Sequence, residues 1–188
     1  MKRYIVAVLL LACFVAWSPV AAQGTTVVVL VRHAEKTADP GNDQPLTADG
    51  EARARALADA LSDAGIQKIL ATPRRRTRDT AAPLAQRLGI PVDTITLAGG
   101  GAANVQATAR AVREGQAGQT ILIVGHSNTI PAIIGALGGP KLPDLCDSQH
   151  ATLYVLLLPS AGKAQLITSR YGRPDPEQPT GCPTMQVR

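Results

Sequence analysis

The chain alternates short aliphatic runs with longer stretches of helical spacing. Residues 25–31 (TTVVVLV) form an unbroken β-branched and aliphatic run, the pattern of a buried strand. A segment rich in Asp, Pro, Gly and Asn follows over residues 39–45 and reads as a loop. Thr47 is placed to cap a helix over residues 47–64, with Leu57, Leu61 and several alanines on one face and Gly65 as its stop. Residues 66–71 (IQKILA) predict a second strand. Thr72-Pro73 opens a second helix that reaches Leu88 and stops at Gly89. Further on, the pattern predicts a short strand over residues 92–97, a helix over 103–114, a strongly apolar strand over 120–124 and a short helix over 129–137. Two late strands are expected over residues 151–158 and 164–169, joined by a turn at Ser160-Ala161-Gly162. The tail from Arg173 holds four prolines and is expected to be irregular.

Strands that alternate with helices imply one α/β sandwich domain with a mostly parallel sheet. No repeat and no second domain is visible. The domain is expected to span residues 23–188, because residues 1–22 have the layout of a secretory signal peptide. Lys2 and Arg3 form its positive start, residues 5–17 are almost wholly apolar, and Val20-Ala21-Ala22 offers small residues for cleavage. The apolar stretch is short for a membrane span, which takes about 20 residues. The expected location is therefore periplasmic or secreted, with no stable membrane span after cleavage.

Charge and composition exclude one class of partner. Without Lys2 and Arg3, the excess of the 19 basic residues over the 14 acidic ones is mild, and only 3% of residues are aromatic. Neither favours nucleic acid, which needs a strong basic surface or stacking platforms. Removal of the leader leaves two cysteines, Cys146 and Cys182. An exported chain with an even pair favours a disulfide between them.

The chemistry is concentrated at strand ends. The first strand stops at Arg32-His33, the second at Thr72-Pro73-Arg74-Arg75-Arg76, and the strand over residues 120–124 at Gly125-His126-Ser127. Parallel strands of one sheet bring their C-terminal ends to one edge, where α/β folds place ligands. Two histidines and several arginines can then surround one small anion. Arginine's planar fork suits phosphate, a neutral imidazole can attack phosphorus, and nearby guanidinium groups disfavour a further positive charge on His33. The triplet Gly99-Gly100-Gly101 lacks the Lys-Ser/Thr of a phosphate-binding loop and reads as a turn.

On these residues the chain resembles the histidine phosphatase superfamily, of phosphoglycerate-mutase-like fold. Arg32-His33-Ala34 resembles its Arg-His-Gly/Ala signature, and Leu46-Thr47-Ala48-Asp49-Gly50 its Leu-Thr-x-x-Gly helix start. Arg76 to Ala81 matches an Arg-x-x-x-Thr-Ala pattern, and Gly125-His126-Ser127 the second histidine motif. The resemblance covers about residues 26–170. It implies a three-layer α/β/α sandwich in which one strand, near residues 151–158, runs antiparallel to the others. It also implies His33 as the phosphorylated nucleophile, Arg32, Arg76 and His126 as the rest of the phosphate pocket, and neither metal nor cofactor.

The expected function is that of an exported phosphatase hydrolysing a phosphomonoester or phosphoramidate through a phosphohistidine on His33. Its partner would be a small phosphorylated substrate or an envelope phosphate group. The alternative is a non-catalytic module that binds a phosphate ligand, or another envelope component, on the same fold. Arg74 and Arg75 fall outside the matched position and read as surface or substrate-edge residues. His150 reads as an ordinary loop residue. No carboxylate matches the family's proton donor. Glu35, Asp39, Asp43, Asp93 and Asp147 are unmatched candidates, and a site without a donor should turn over alkyl phosphates far more slowly than aryl phosphates.

Overall fold

A computed structural model describes residues 24–177 except Gln116. Six strands form one sheet in the order β3-β2-β4-β1-β5-β6. They are β1 (Thr26–Arg32), β2 (Lys68–Ala71), β3 (Val92–Thr94), β4 (Thr120–Gly125), β5 (Thr152–Leu158) and β6 (Gln165–Arg170). β1, β2, β3 and β4 pair in parallel, while β5 is antiparallel to both β1 and β6. One strand therefore runs against the rest, as the resemblance implies.

Side-chain alternation along β1 sorts the core into two layers. Val28 and Leu30 pack with Val105 and Ala109 of α3 (Gly100–Arg113) and Ile130, Ile133 and Ile134 of α4 (Thr129–Ala136). Val29 and Val31 face the other way, against Leu57 and Leu61 of α1 (Ala48–Leu61) and Leu84 of α2 (Arg75–Leu88). Helices cover both faces, giving the α/β/α sandwich.

Local chemistry sets the helix ends. Thr47 caps α1 through a hydrogen bond from the Gly50 N–H at 3.1 Å, a device worth about 1 kcal/mol. α2 begins at Arg75 rather than at Thr72-Pro73, and Gly89 ends it in the left-handed conformation at φ 67°. β3 is shorter than the apolar pattern predicts. Asn104 donates to the carbonyls of Ile95 and Thr96, which turns the chain into α3 three residues earlier than expected. Among the described residues, no helix is long and apolar enough to cross a membrane. The expected leader and Cys182, the expected partner of Cys146, lie outside the described residues. The start of the tail is irregular yet docked. Asp175 accepts hydrogen bonds from the His150 and Ala151 N–H groups at 2.8 and 2.9 Å.

Candidate active site

Three strands converge where the sequence places the chemistry. Arg32 at the end of β1 is in register with Gly125 at the end of β4, and Ala71 at the end of β2 with Val124. The His33 N–H continues the ladder by donating to the Gly125 carbonyl at 2.9 Å. Arg32, His33, Arg76 and His150 line one open pocket of about 480 Å³, together with Asn42 and Gln44 from the loop before α1.

His33 is fully buried, and its Nδ1 lies 2.8 Å from the Ala34 carbonyl. A carbonyl only accepts, so Nδ1 carries the proton and Nε2 keeps its lone pair. The neutral form is enforced: burial, then Arg32, pushes the His33 pKa well below the ordinary histidine value. The backbone after His33 is braced twice. The Ala34 N–H donates to Thr80 Oγ1 at 2.9 Å, and Thr80 Oγ1 in turn donates to the Arg76 carbonyl at 2.7 Å. This chain of contacts explains the Arg-x-x-x-Thr spacing, since residues four apart share a helix face. The other brace is α1. The Thr47 N–H donates to the Glu35 carbonyl at 3.0 Å, and Gly50 packs so tightly on the same carbonyl that a Cβ would collide with it.

The two arginines are oriented by carbonyls. Arg32 Nη1 donates to the carbonyls of Cys146 and Asp147 at 2.6 and 2.9 Å, and Nη2 reaches Asp147 Oδ1 at 3.2 Å. Arg76 Nη1 donates to the Asn42 carbonyl at 3.0 Å, and Nη2 approaches His126 Nδ1 at 3.4 Å. Burial lowers both guanidinium pKa values, Arg76's further through Arg74 and Arg32, while Asp147 partly offsets the effect at Arg32. Both groups stay charged at any physiological pH. Arg32 Nε, Arg76 Nε and His33 Nε2 are all buried, and none makes a hydrogen bond to a described residue. Buried polar atoms are nearly always paired. Here two donors and one lone pair are left over around a single pocket.

His126 completes the group, its ring 5.5 Å from that of His33. Its Nε2 lies 3.0 Å from Thr72 Oγ1, which lies 2.9 Å from Thr77 Oγ1. Thr77 donates onward to the Thr72 and Arg74 carbonyls. The direction of this relay places the His126 proton on Nε2 and leaves Nδ1 facing Arg76. Burial, then Arg76 and Arg32, takes the His126 pKa down to about 3. The His126 N–H donates to Thr129 Oγ1 at 2.9 Å, which fixes the turn into α4.

Several residues are placed differently from their sequence reading. His150 is buried on the pocket wall, its ring 5.9 Å from that of His33, and is no ordinary loop residue. Its Nδ1 lies 2.9 Å from the His33 carbonyl, a contact between residues 117 apart in sequence. Arg74 starts α2 as its N-cap, and Arg75 is a surface residue as read, paired with Asp79 at 3.2 Å. Asp93 sits in β3 and not in a loop. Thr72, Thr77 and Thr80 carry no signal of their own. Only Thr80, through the Arg-x-x-x-Thr match, was legible. Among the described residues, no group of three or more His, Cys, Asp or Glu is arranged to hold a metal ion.

The model of the histidine phosphatase superfamily, branch 1, matches residues 28–96. An uncharacterized protein of Mycobacterium tuberculosis is 47% identical over 49 residues, 26% of this chain and 24% of its own length. The chain thus spans about a quarter of that relative. The solved structure of SixA from Nakamurella multipartitia is 25% identical, covers 79% of this chain and 97% of its own, and superposes with a TM-score of 0.56. Two further structures share the fold at lower identity. A protein histidine phosphatase SixA complexed with tungstate is 20% identical over 77% of this chain and 96% of its own, with a TM-score of 0.61. A mycobacterial glucosyl-3-phosphoglycerate phosphatase with inorganic phosphate is 19% identical over 76% and 95%, with a TM-score of 0.56. The matched segment carries Arg32, His33 and Arg76, and the second histidine is delivered to the same strand edge, so in fold and in site the chain is similar to the histidine phosphatase superfamily.

Proposed function

We propose that the protein is a phosphatase that hydrolyses a phosphomonoester or phosphoramidate through a phosphohistidine on His33. The observation that carries this reading is the set of unpaired buried atoms. A lone pair on His33 Nε2 and the Nε–H groups of Arg32 and Arg76 belong to residues that line one pocket. In this reading Nε2 attacks phosphorus while the leaving oxygen departs, and the guanidinium groups hold the non-bridging oxygens. Each such donor is worth about 10²–10³-fold in rate when it meets developing charge. Water then attacks the phosphohistidine and releases phosphate. A binding module has no use for a neutral imidazole lone pair held ready by its own backbone, so the catalytic reading is favoured over the non-catalytic one. Tungstate and phosphate in the two structural relatives fit an oxyanion pocket of this kind.

The physiological setting belongs to the same proposal. Residues 1–22 have the pattern of a cleaved leader, and a Cys146–Cys182 disulfide would tie the tail to the loop whose carbonyls hold Arg32. The leader pattern supports a periplasmic or secreted enzyme whose substrate is a small phosphorylated molecule or an envelope phosphate group, and the disulfide is an expectation of that setting. The test is turnover of 4-nitrophenyl phosphate with acid-labile phosphate trapped on the enzyme. Label on His33, lost in His33→Ala, is the expected result. Stable binding of phosphate without turnover would leave the non-catalytic reading in its place.

A further inference from the structure

The five candidate carboxylates for protonating the leaving group are all engaged or distant. Glu35 receives three hydrogen bonds from Arg53, between 2.7 and 3.0 Å. Asp43 accepts from the Arg75 N–H at the start of α2, at 2.6 Å. Asp39 accepts from Thr37 at 2.6 Å on the exposed loop, and Asp147 is paired with Arg32. Asp93 lies in the edge strand β3 and does not line the pocket. Of the two histidines that line the pocket, His150 remains unused by the mechanism above.

We propose that His150 is the proton-transfer residue of this site, its Nε2 protonating the departing oxygen and then accepting a proton from the attacking water. The inference rests on the phosphatase reading. The His33 carbonyl can only accept, so His150 Nδ1 must carry a proton, and Nε2 is the ring nitrogen left for exchange. Nε2 makes no hydrogen bond to any described residue, and the ring lines the pocket beside the nucleophile. Asp175 holds the backbone of His150 and Ala151, which preorganises the ring.

The charges around His150 give it a substrate-dependent proton. Burial and then Arg32 lower its pKa, with Arg53 acting the same way, while its bond to the His33 carbonyl and Glu35 oppose them. In the protein alone the ring is therefore neutral near pH 7. A phosphate dianion in the same pocket adds negative charge and raises the pKa again. The ester's own second proton, of pKa about 6, can load Nε2 as it binds.

In the first step a P–N bond forms to His33 and the P–O bond breaks. Its electron pair goes to the leaving oxygen, which takes the His150 proton. In the second step a water oxygen bonds to phosphorus and the P–N electron pair returns to His33. Neutral His150 takes the water proton.

The test is kcat/KM across a leaving-group series, from 4-nitrophenyl to simple alkyl phosphates, for wild type, His150→Asn and His150→Gln. Asparagine carries its amide nitrogen at the reach of Nδ1, the atom that meets the His33 carbonyl, whereas glutamine carries it at the reach of Nε2, and neither amide can give up a proton. Wild type should show a shallow dependence on leaving-group pKa, in place of the steep one expected of a site without a donor. Both variants should lose at least about 10²-fold on alkyl phosphates and less than about tenfold on aryl phosphates, the size of a positioned acid. Losses equal across the series in both variants, or no loss at all, would overturn the assignment while leaving the phosphatase reading intact. A wild-type protein that turns over neither class would remove the phosphatase reading, and this inference with it.

Discussion

Arg32 and Arg53 are equally buried, each 4% exposed, yet their surroundings are opposite in kind. Arg53 is saturated. Its Nε and Nη2 bind the Glu35 carboxylate, and Nη1 donates to the carbonyls of Tyr171 and Arg173 at 3.3 and 2.9 Å. Burial works to lower its pKa, but Glu35 outweighs that and the net shift is upward. Arg32 has carbonyls on one terminal nitrogen, one exposed carboxylate on the other, and a buried Nε with no partner; its pKa shifts downward. A guanidinium that meets its full complement inside the protein braces the fold. One held by neutral carbonyls, with donors and charge left over, is prepared for an anion. Burial alone does not distinguish them.

The largest effect should come from His33, the group next to Arg32 whose own proton Arg32 disfavours. His33→Ala should lower kcat/KM by at least about 10³-fold, since a missing nucleophile disables the whole constellation. Circular dichroism should still report a folded chain. Normal turnover in this variant would show that the buried lone pair is incidental.

Next, the two arginines should separate by readout. Arg32→Ala should cost about 10²–10³-fold in kcat/KM, roughly 2.7–4 kcal/mol of transition-state binding. Arg53→Met should instead destabilise the fold by about 3 kcal/mol, because Glu35 is left without its partner. Its kcat/KM per folded molecule should fall far less than in Arg32→Ala. Denaturant melts and steady-state kinetics on both variants decide this, and identical profiles would erase the distinction.

A third contrast lies within the arginine triplet. Arg76→Ala should cost at least about 10²-fold, while Arg74→Ala and Arg75→Ala cost much less, because only Arg76 lines the pocket. Equal losses at all three would place the motif in the wrong register.

The smallest effect is on stability against pH. His33, His126 and His150 all have folded pKa values below the unfolded value of about 6.5, His126 at about 3. The unfolded chain therefore binds more protons below pH 6.5, and the stability these neutral rings contribute is present above that pH. It is lost as pH falls toward 3. Thermal melts without phosphate should show Tm declining over this window, with a gentler decline in His126→Gln. Phosphate should oppose the decline by favouring protonated rings. An unchanged slope in His126→Gln would contradict the shift.

Much of this molecule was legible in the order of its residues. Aliphatic runs marked the strands, Thr47 and Gly89 marked helix ends, and the groups at the ends of β1, β2 and β4 offered two histidines and several arginines, among which the family resemblance singled out His33, Arg32, Arg76 and His126. These signals are local: a strand needs its own apolar run, a helix its own cap, and a parallel sheet brings C-terminal ends together whatever the loops do. Other features came only with the tertiary structure. Nothing near His150 in sequence tells that its ring meets the His33 carbonyl across 117 residues. Likewise, Glu35 reads as one more charge after His33 until Arg53, 18 residues on, is found to occupy it. Whether a buried polar group is satisfied or left over depends on partners drawn from several elements at once. That count exists only after the chain has packed, and here it separates the residues that brace the fold from those left with unpaired buried atoms around the pocket.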